Sequence, residues 1–186
     1  MRTKNQAKSR QARLDRRNRR NLEYVMSVSG HRPDRLGGYN WETFTKIDNF
    51  ALECLKNVKP SVLIVGMAQG WDISCARACL TLGIKYIAAV PFRGWNENWD
   101  SDSMKVYKDL LKGAEKVIHV SSPPYSVSKL HARNRWMIDR SEAVLCLWDG
   151  KPYGGTYATK VYAEKQNKTV IDLWYQWEDF AKEQKS

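Results

Sequence analysis

Three short runs in this 186-residue chain combine residue types that could hold a phosphate. They are Ser27-Val28-Ser29-Gly30-His31-Arg32-Pro33, Gly66-Met67-Ala68-Gln69-Gly70-Trp71-Asp72 and Tyr153-Gly154-Gly155-Thr156. Glycine lets a backbone approach an anion closely, and a helix N-terminus adds free N–H groups and partial positive charge. In the first run, Ser29 and Gly30 would close one side of a site and Arg32 would supply a planar bidentate donor. In the second, Gly66, Ala68 and Gly70 would cradle a phosphate or ribose, with Asp72 near a sugar hydroxyl. The same run also reads as a tight turn with Asp72 as a helix N-cap. In the third, Gly154, Gly155 and the Thr156 hydroxyl would face an anion, or make a capped turn. None of these is a G-x-G-x-x-G fingerprint or a Walker A loop, so P-loop chemistry is not expected.

Other residues could join such a site. Arg133 and Asn134 fall side by side at one helix edge, where they would reach a base or a phosphate, or form part of a charged face. His31 reads first as a structural hydrogen-bonder and second as a general acid or base. Trp95 and Trp99 lie in a polar loop, either stacking on a base or packing on their own domain. Hydrolysis of an N-glycosidic bond would need a carboxylate, and Asp72, Glu97 and Asp149 are the candidates. Cys54, Cys75, Cys79 and Cys146 lack the paired spacing of a zinc site, so they read as core thiols and no metal site is expected.

The elements that must position these residues follow from apolar patterning. Tyr24–Val28, Val62–Val65, Tyr86–Val90, Val117–Val120, Ala143–Trp148 and Thr169–Leu173 are continuous apolar runs, as in parallel strands covered on both faces. Between them, helical spacing predicts helices over Trp41–Lys56, Asp72–Leu82, Asp102–Gly113, Lys129–Arg140 and Thr156–Lys165. A tail helix over Trp174–Lys185 is expected to pack back through Trp177 and Phe180. Strands alternating with helices imply right-handed crossovers and a three-layer α/β sandwich with a mostly parallel sheet. In such a sheet ligands bind outside the carboxyl ends of the strands, where the three runs fall.

Charge divides the chain in two. Residues 1–20 hold nine basic residues and Asp15, a net +8 of the total +11, leaving +3 for the rest. Residues 1–22 have almost no large apolar side chains and are expected to form a disordered basic arm before one domain over 23–186. The arm reads as a nucleic-acid contact through residues 2–20, or as a solvated extension. No apolar run approaches the roughly 20 residues that span a bilayer, and the basic N-terminus lacks the apolar core of a secretory signal. A cytoplasmic protein without membrane contact is expected.

Taken together, Ser29-Gly30-His31-Arg32-Pro33 with Leu36-Gly37, the run Gly66–Asp72, Arg133-Asn134 with Met137-Ile138-Asp139, and Gly154-Gly155-Thr156 with Tyr162-Ala163-Glu164-Lys165 resemble a known family. The chain is similar, over roughly residues 25–173, to the YspA/YpsA-like branch of the SLOG superfamily, related to the LOG phosphoribohydrolases and the DprA domain. The resemblance implies a Rossmann-like fold and a pocket for a nucleotide or nucleotide-derived ligand. It also implies a homo-oligomer. LOG enzymes carry Pro-Gly-Gly-x-Gly-Thr-x-x-Glu, whose glutamate takes part in N-glycosidic cleavage. Here Thr159 stands where that carboxylate belongs, and Glu164 comes later on the same helix. Arg77 also replaces an acid common in related sequences.

The reading that results is a nucleotide-binding protein, acting as a sensor or by sequestration. Its ligand-binding residues would be Ser29, Gly30, Arg32, Gly66, Ala68, Gly70, Asp72, Arg133, Asn134, Gly154, Gly155 and Thr156. The alternatives are a nucleotide N-glycosidase using Asp72 or Glu97, and a nucleic-acid-binding protein using the arm. No cofactor is expected beyond a magnesium ion carried by a bound phosphate.

Overall fold

The computed structural model describes residues 24–183. The basic arm expected over 1–22 lies outside the described residues. Six strands form one sheet: β1 (Val25–Gly30), β2 (Val62–Val65), β3 (Lys85–Val90), β4 (Lys116–His119), β5 (Ala143–Leu147) and β6 (Thr169–Asp172). Their order is β4-β3-β2-β1-β5-β6, and every pairing is parallel. The fold is therefore a three-layer, Rossmann-like α/β sandwich, with a sheet that is wholly parallel.

Six α-helices link and flank the strands: α1 (Trp41–Val58), α2 (Trp71–Leu82), α3 (Ser101–Gly113), α4 (Val127–Asp139), α5 (Gly154–Lys165) and α6 (Trp174–Glu183). The side chains of β1 alternate between the two faces. Met26 and Val28 enter the larger core with Ile47, Phe50, Leu63, Trp71 and Tyr86 beneath α1, α2 and α3. Ser27 faces the other way, and its hydroxyl meets that of Ser141 at 3.0 Å. On that second face the cores are small, built from Ile64, Ala89 and Met137, and from Ile138, Val144 and Ala163. α6 returns to the larger core, where Phe50 meets Trp177 at 5.4 Å and Phe180 at 5.3 Å between ring centroids.

Several boundaries differ from the sequence expectation in ways that bear on the site. β1 runs on to Gly30, because Ser29 and Gly30 still pair with Cys146 and Leu147. α5 begins at Gly154, so both glycines belong to its first turn. Gly113 ends α3 but does not cap it; a Cβ there would lie 2.7 Å from Leu80 Cδ2, so it marks a close helix contact. Trp95 and Trp99 pack edge-to-face at 5.2 Å and both adjoin Tyr107, which binds them into the domain. No helix among the described residues is long and apolar enough to cross a membrane.

Candidate nucleotide site

The chain leaves β1 in one direction, building β2, β3 and β4, then returns through α4 to place β5 on the other side of β1. The loops after β1 and β5 therefore part at their carboxyl ends, and the crevice between them is where open α/β sheets take ligands. A cleft of about 340 Å³ opens there. Its walls come from Ser29, Gly30, His31, Arg32, Asp34 and Arg35 after β1, and from Ala68 and Asp72 after β2. Val127, Leu130, His131, Arg133 and Asn134 of α4, and Tyr153 to Thr156 at α5, complete it.

The N-terminus of α5 has no side-chain cap. Its first-turn N–H groups have no intrahelical partners, and the space where Cβ atoms of Gly154 and Gly155 would stand is empty. An anion therefore finds donors and positive partial charge without obstruction.

The cleft floor is charged and dry. Arg133 and Asp72 are each 6% exposed, with Nη1 3.8 Å from Oδ2. Nη1 donates to the Gly66 carbonyl and reaches the Ala89 carbonyl at 3.5 Å, whereas the buried Nε has no partner. Burial pushes the Asp72 carboxyl up to about 6, against the opposing pull of Arg133 and of the Ala68 N–H at 3.3 Å. Burial likewise lowers the Arg133 pKa. Desolvation thus outweighs attraction in this loosely joined pair. Gly66 is required here because a Cβ would collide with the Arg133 guanidinium.

His31 joins the loops on either side of the crevice. Its Nε2 accepts from the Asp149 N–H at 2.9 Å and lies 3.0 Å from Asp149 Oδ1. Burial lowers its pKa in spite of that carboxylate, and through Nε2 the ring links the loops that follow β1 and β5. Arg35 holds the same carboxylate at 3.1 Å, and Lys151 Nζ stands at 3.6 Å. Burial alone would raise the Asp149 carboxyl, but the Lys151 N–H, His31 and Arg35 hold it below the ordinary carboxylate range. Asp149 is a clasp behind the cleft.

Ten of the residues proposed from sequence meet in the cleft; Gly66 and Gly70 stand behind its wall, Gly70 as the N-cap of α2. Glu97 is an exposed loop residue outside it. Thr159 is buried, donating to the Gly155 carbonyl and accepting from Asn134 Nδ2, both at 2.8 Å. Glu164 pairs with Lys160 on the exposed side of α5, and Arg77 binds Asp48 of α1 at 2.5 Å. Arg35, Tyr153, Val127, Leu130 and His131 were missed as site residues. The last three were within reach of the sequence, because they lie seven, four and three residues before Asn134, on its helix face.

Residues 26–176 match the YspA SLOG family, and the chain belongs to it. It is 32% identical over 112 residues to an uncharacterized SPbeta prophage-derived protein, YoqJ, of Bacillus subtilis strain 168, covering 52% of this chain and 62% of that protein. It is 24% identical over 161 residues to the UPF0398 protein BH1768 of Halalkalibacterium halodurans, covering 80% and 85%. Among solved structures, DNA processing protein A of Helicobacter pylori, described for its single-stranded DNA binding mode, superposes with a TM-score of 0.57 at 20% identity. That match covers 81% of this chain and 65% of the other. The likeness is one of fold.

Proposed function

We propose that this protein binds a nucleotide or a small nucleotide derivative in the β1/β5 cleft, with the phosphate on the N-terminus of α5. The uncapped, unobstructed first turn of α5 at the switch point carries the reading. The place of Arg133 and Asn134 in the wall of the same cleft supports it, as does membership of the YspA SLOG family. Binding is favoured over turnover because Thr159 fills the position of the LOG carboxylate and is sealed by Asn134 and the Gly155 carbonyl.

The test is mass spectrometry of small molecules released on denaturing the purified protein, alongside incubation with a nucleotide library. An intact nucleotide is expected. Free base with ribose 5-phosphate would instead make this an N-glycosidase, with Asp72 the first carboxylate to replace. Gly155→Asp should abolish nucleotide binding in calorimetry while leaving the thermal midpoint near wild type, since its Cβ enters open space and its carboxylate opposes the phosphate. Unchanged affinity would remove α5 from the site.

The +8 charge of residues 1–20 favours a second, separate contact, with nucleic acid. A neighbour in fold that binds single-stranded DNA lends it support. This reading predicts affinity that falls steeply with salt and disappears on deletion of residues 1–21. Salt-insensitive binding that survives the deletion would refute it.

A further inference from the structure

We infer that the cleft selects ligands bearing an aromatic base, and that Tyr153 is the residue that reads it. The inference rests on the phosphate site proposed above and identifies what lies beyond the phosphate. Tyr153 precedes the first turn of α5 and lines the cleft, yet its side chain is held outward, 53% exposed. An exposed tyrosine ring at the lip of a phosphate site has no packing role in the core.

The ring is nonetheless positioned. Arg35 lies over it, with Cζ 4.8 Å from the ring centroid, and the same guanidinium is anchored to Asp149 at 3.1 Å. One face of Tyr153 is thereby backed by a cation that is itself fixed. An aromatic ring prefers to lie on such a pre-set surface, because little freedom remains to be lost on binding. Val127 and Leu130 add apolar surface to the same cleft, and Val127 is 57% exposed. A sugar phosphate alone would leave this aromatic and aliphatic surface wet. A nucleoside phosphate would cover it, with its phosphate on α5 and its base against the tyrosine.

The experiment compares ribose 5-phosphate with the four common nucleoside 5′-monophosphates in calorimetry, on wild type, Tyr153→Ala and Tyr153→Phe. Wild type should bind nucleotides more tightly than ribose 5-phosphate. Tyr153→Ala should reduce that preference roughly tenfold or more while leaving ribose 5-phosphate affinity unchanged, as expected for loss of one stacked base. Tyr153→Phe should keep the preference, because the ring and not the hydroxyl makes the contact. A preference that survives Tyr153→Ala overturns the inference. So does an equal loss for both ligand types, which would mean that Tyr153 acts only through Arg35. Equal wild-type affinity for ribose 5-phosphate and the nucleotides overturns it too, while leaving the phosphate site standing. Failure of every phosphate to bind wild type would overturn the cleft reading itself, and this inference with it.

Discussion

Asp72 and Arg133 sit 3.8 Å apart in a place water barely reaches, and burial perturbs both. The native Asp72 pKa of about 6 lies above the ordinary 3.8, so between those values the folded chain holds a proton that the unfolded chain has released. Stability therefore falls as pH rises through that window and levels off above it. His31 contributes the opposite slope, because burial lowers its pKa and the unfolded chain protonates first. Asp72→Asn separates the two. In urea unfolding, the stability of wild type relative to this variant should drop by about 3 kcal/mol between about pH 3 and pH 8. A pH-independent difference would mean that Arg133 fully compensates the carboxylate.

The cleft depends on how two helices are set against each other. α4 brings Arg133 under the Gly66 carbonyl and Asn134 against Thr159, while α5 presents its open N-terminus. The Thr159 hydroxyl thus serves both helices, donating within α5 and accepting from α4. Thr159→Val keeps the shape and leaves the Asn134 amide without this partner. The expected cost is about 1–2 kcal/mol, roughly 2–8 °C in the thermal midpoint for a chain of this size. A midpoint equal to wild type would show that water replaces the hydroxyl.

At the scale of the whole molecule the two faces of the sheet are unequal. The face under α1, α2 and α3 carries the large core, and α6 completes it when Trp177 meets Phe50. α6 also reaches the crevice, because its first residue, Trp174, packs edge-on against His31 at 5.9 Å. Trp177→Ala should cost about 3–5 kcal/mol in urea unfolding, the range for emptying a large aromatic site. A cost below about 1 kcal/mol would make α6 an appendage. On the other face α4 and α5 rest on small apolar clusters, so polar links such as Asn134–Thr159 and Arg133–Gly66 take a larger share of their fixation.

Local patterning alone determined the element types, the three-layer sandwich and the loops that border the cleft. Strand runs buried on both faces are unbroken apolar stretches, and helix starts and turns carry small polar residues, so these signals need no partner to be read. What depends on residues far apart in the chain required the tertiary structure. The Gly66 run was legible as a turn, yet Met67 takes the left-handed backbone at φ 61°, while Gly66 clears space for an arginine 67 residues further on. Arg133 read as a helix-edge residue that would reach a base or a phosphate, or form part of a charged face, and only the return of α4 across β1 buries it under the Gly66 carbonyl. His31 and Asp149 are 118 residues apart and become partners because β5 is inserted beside β1. Tyr153 carried no signal beyond its place before two glycines; its outward setting and the guanidinium behind it exist only once the two loops converge. Sequence patterning reports local burial and backbone preference, whereas the electrostatics of a site follow from strand order, which brings distant charges into one dry space.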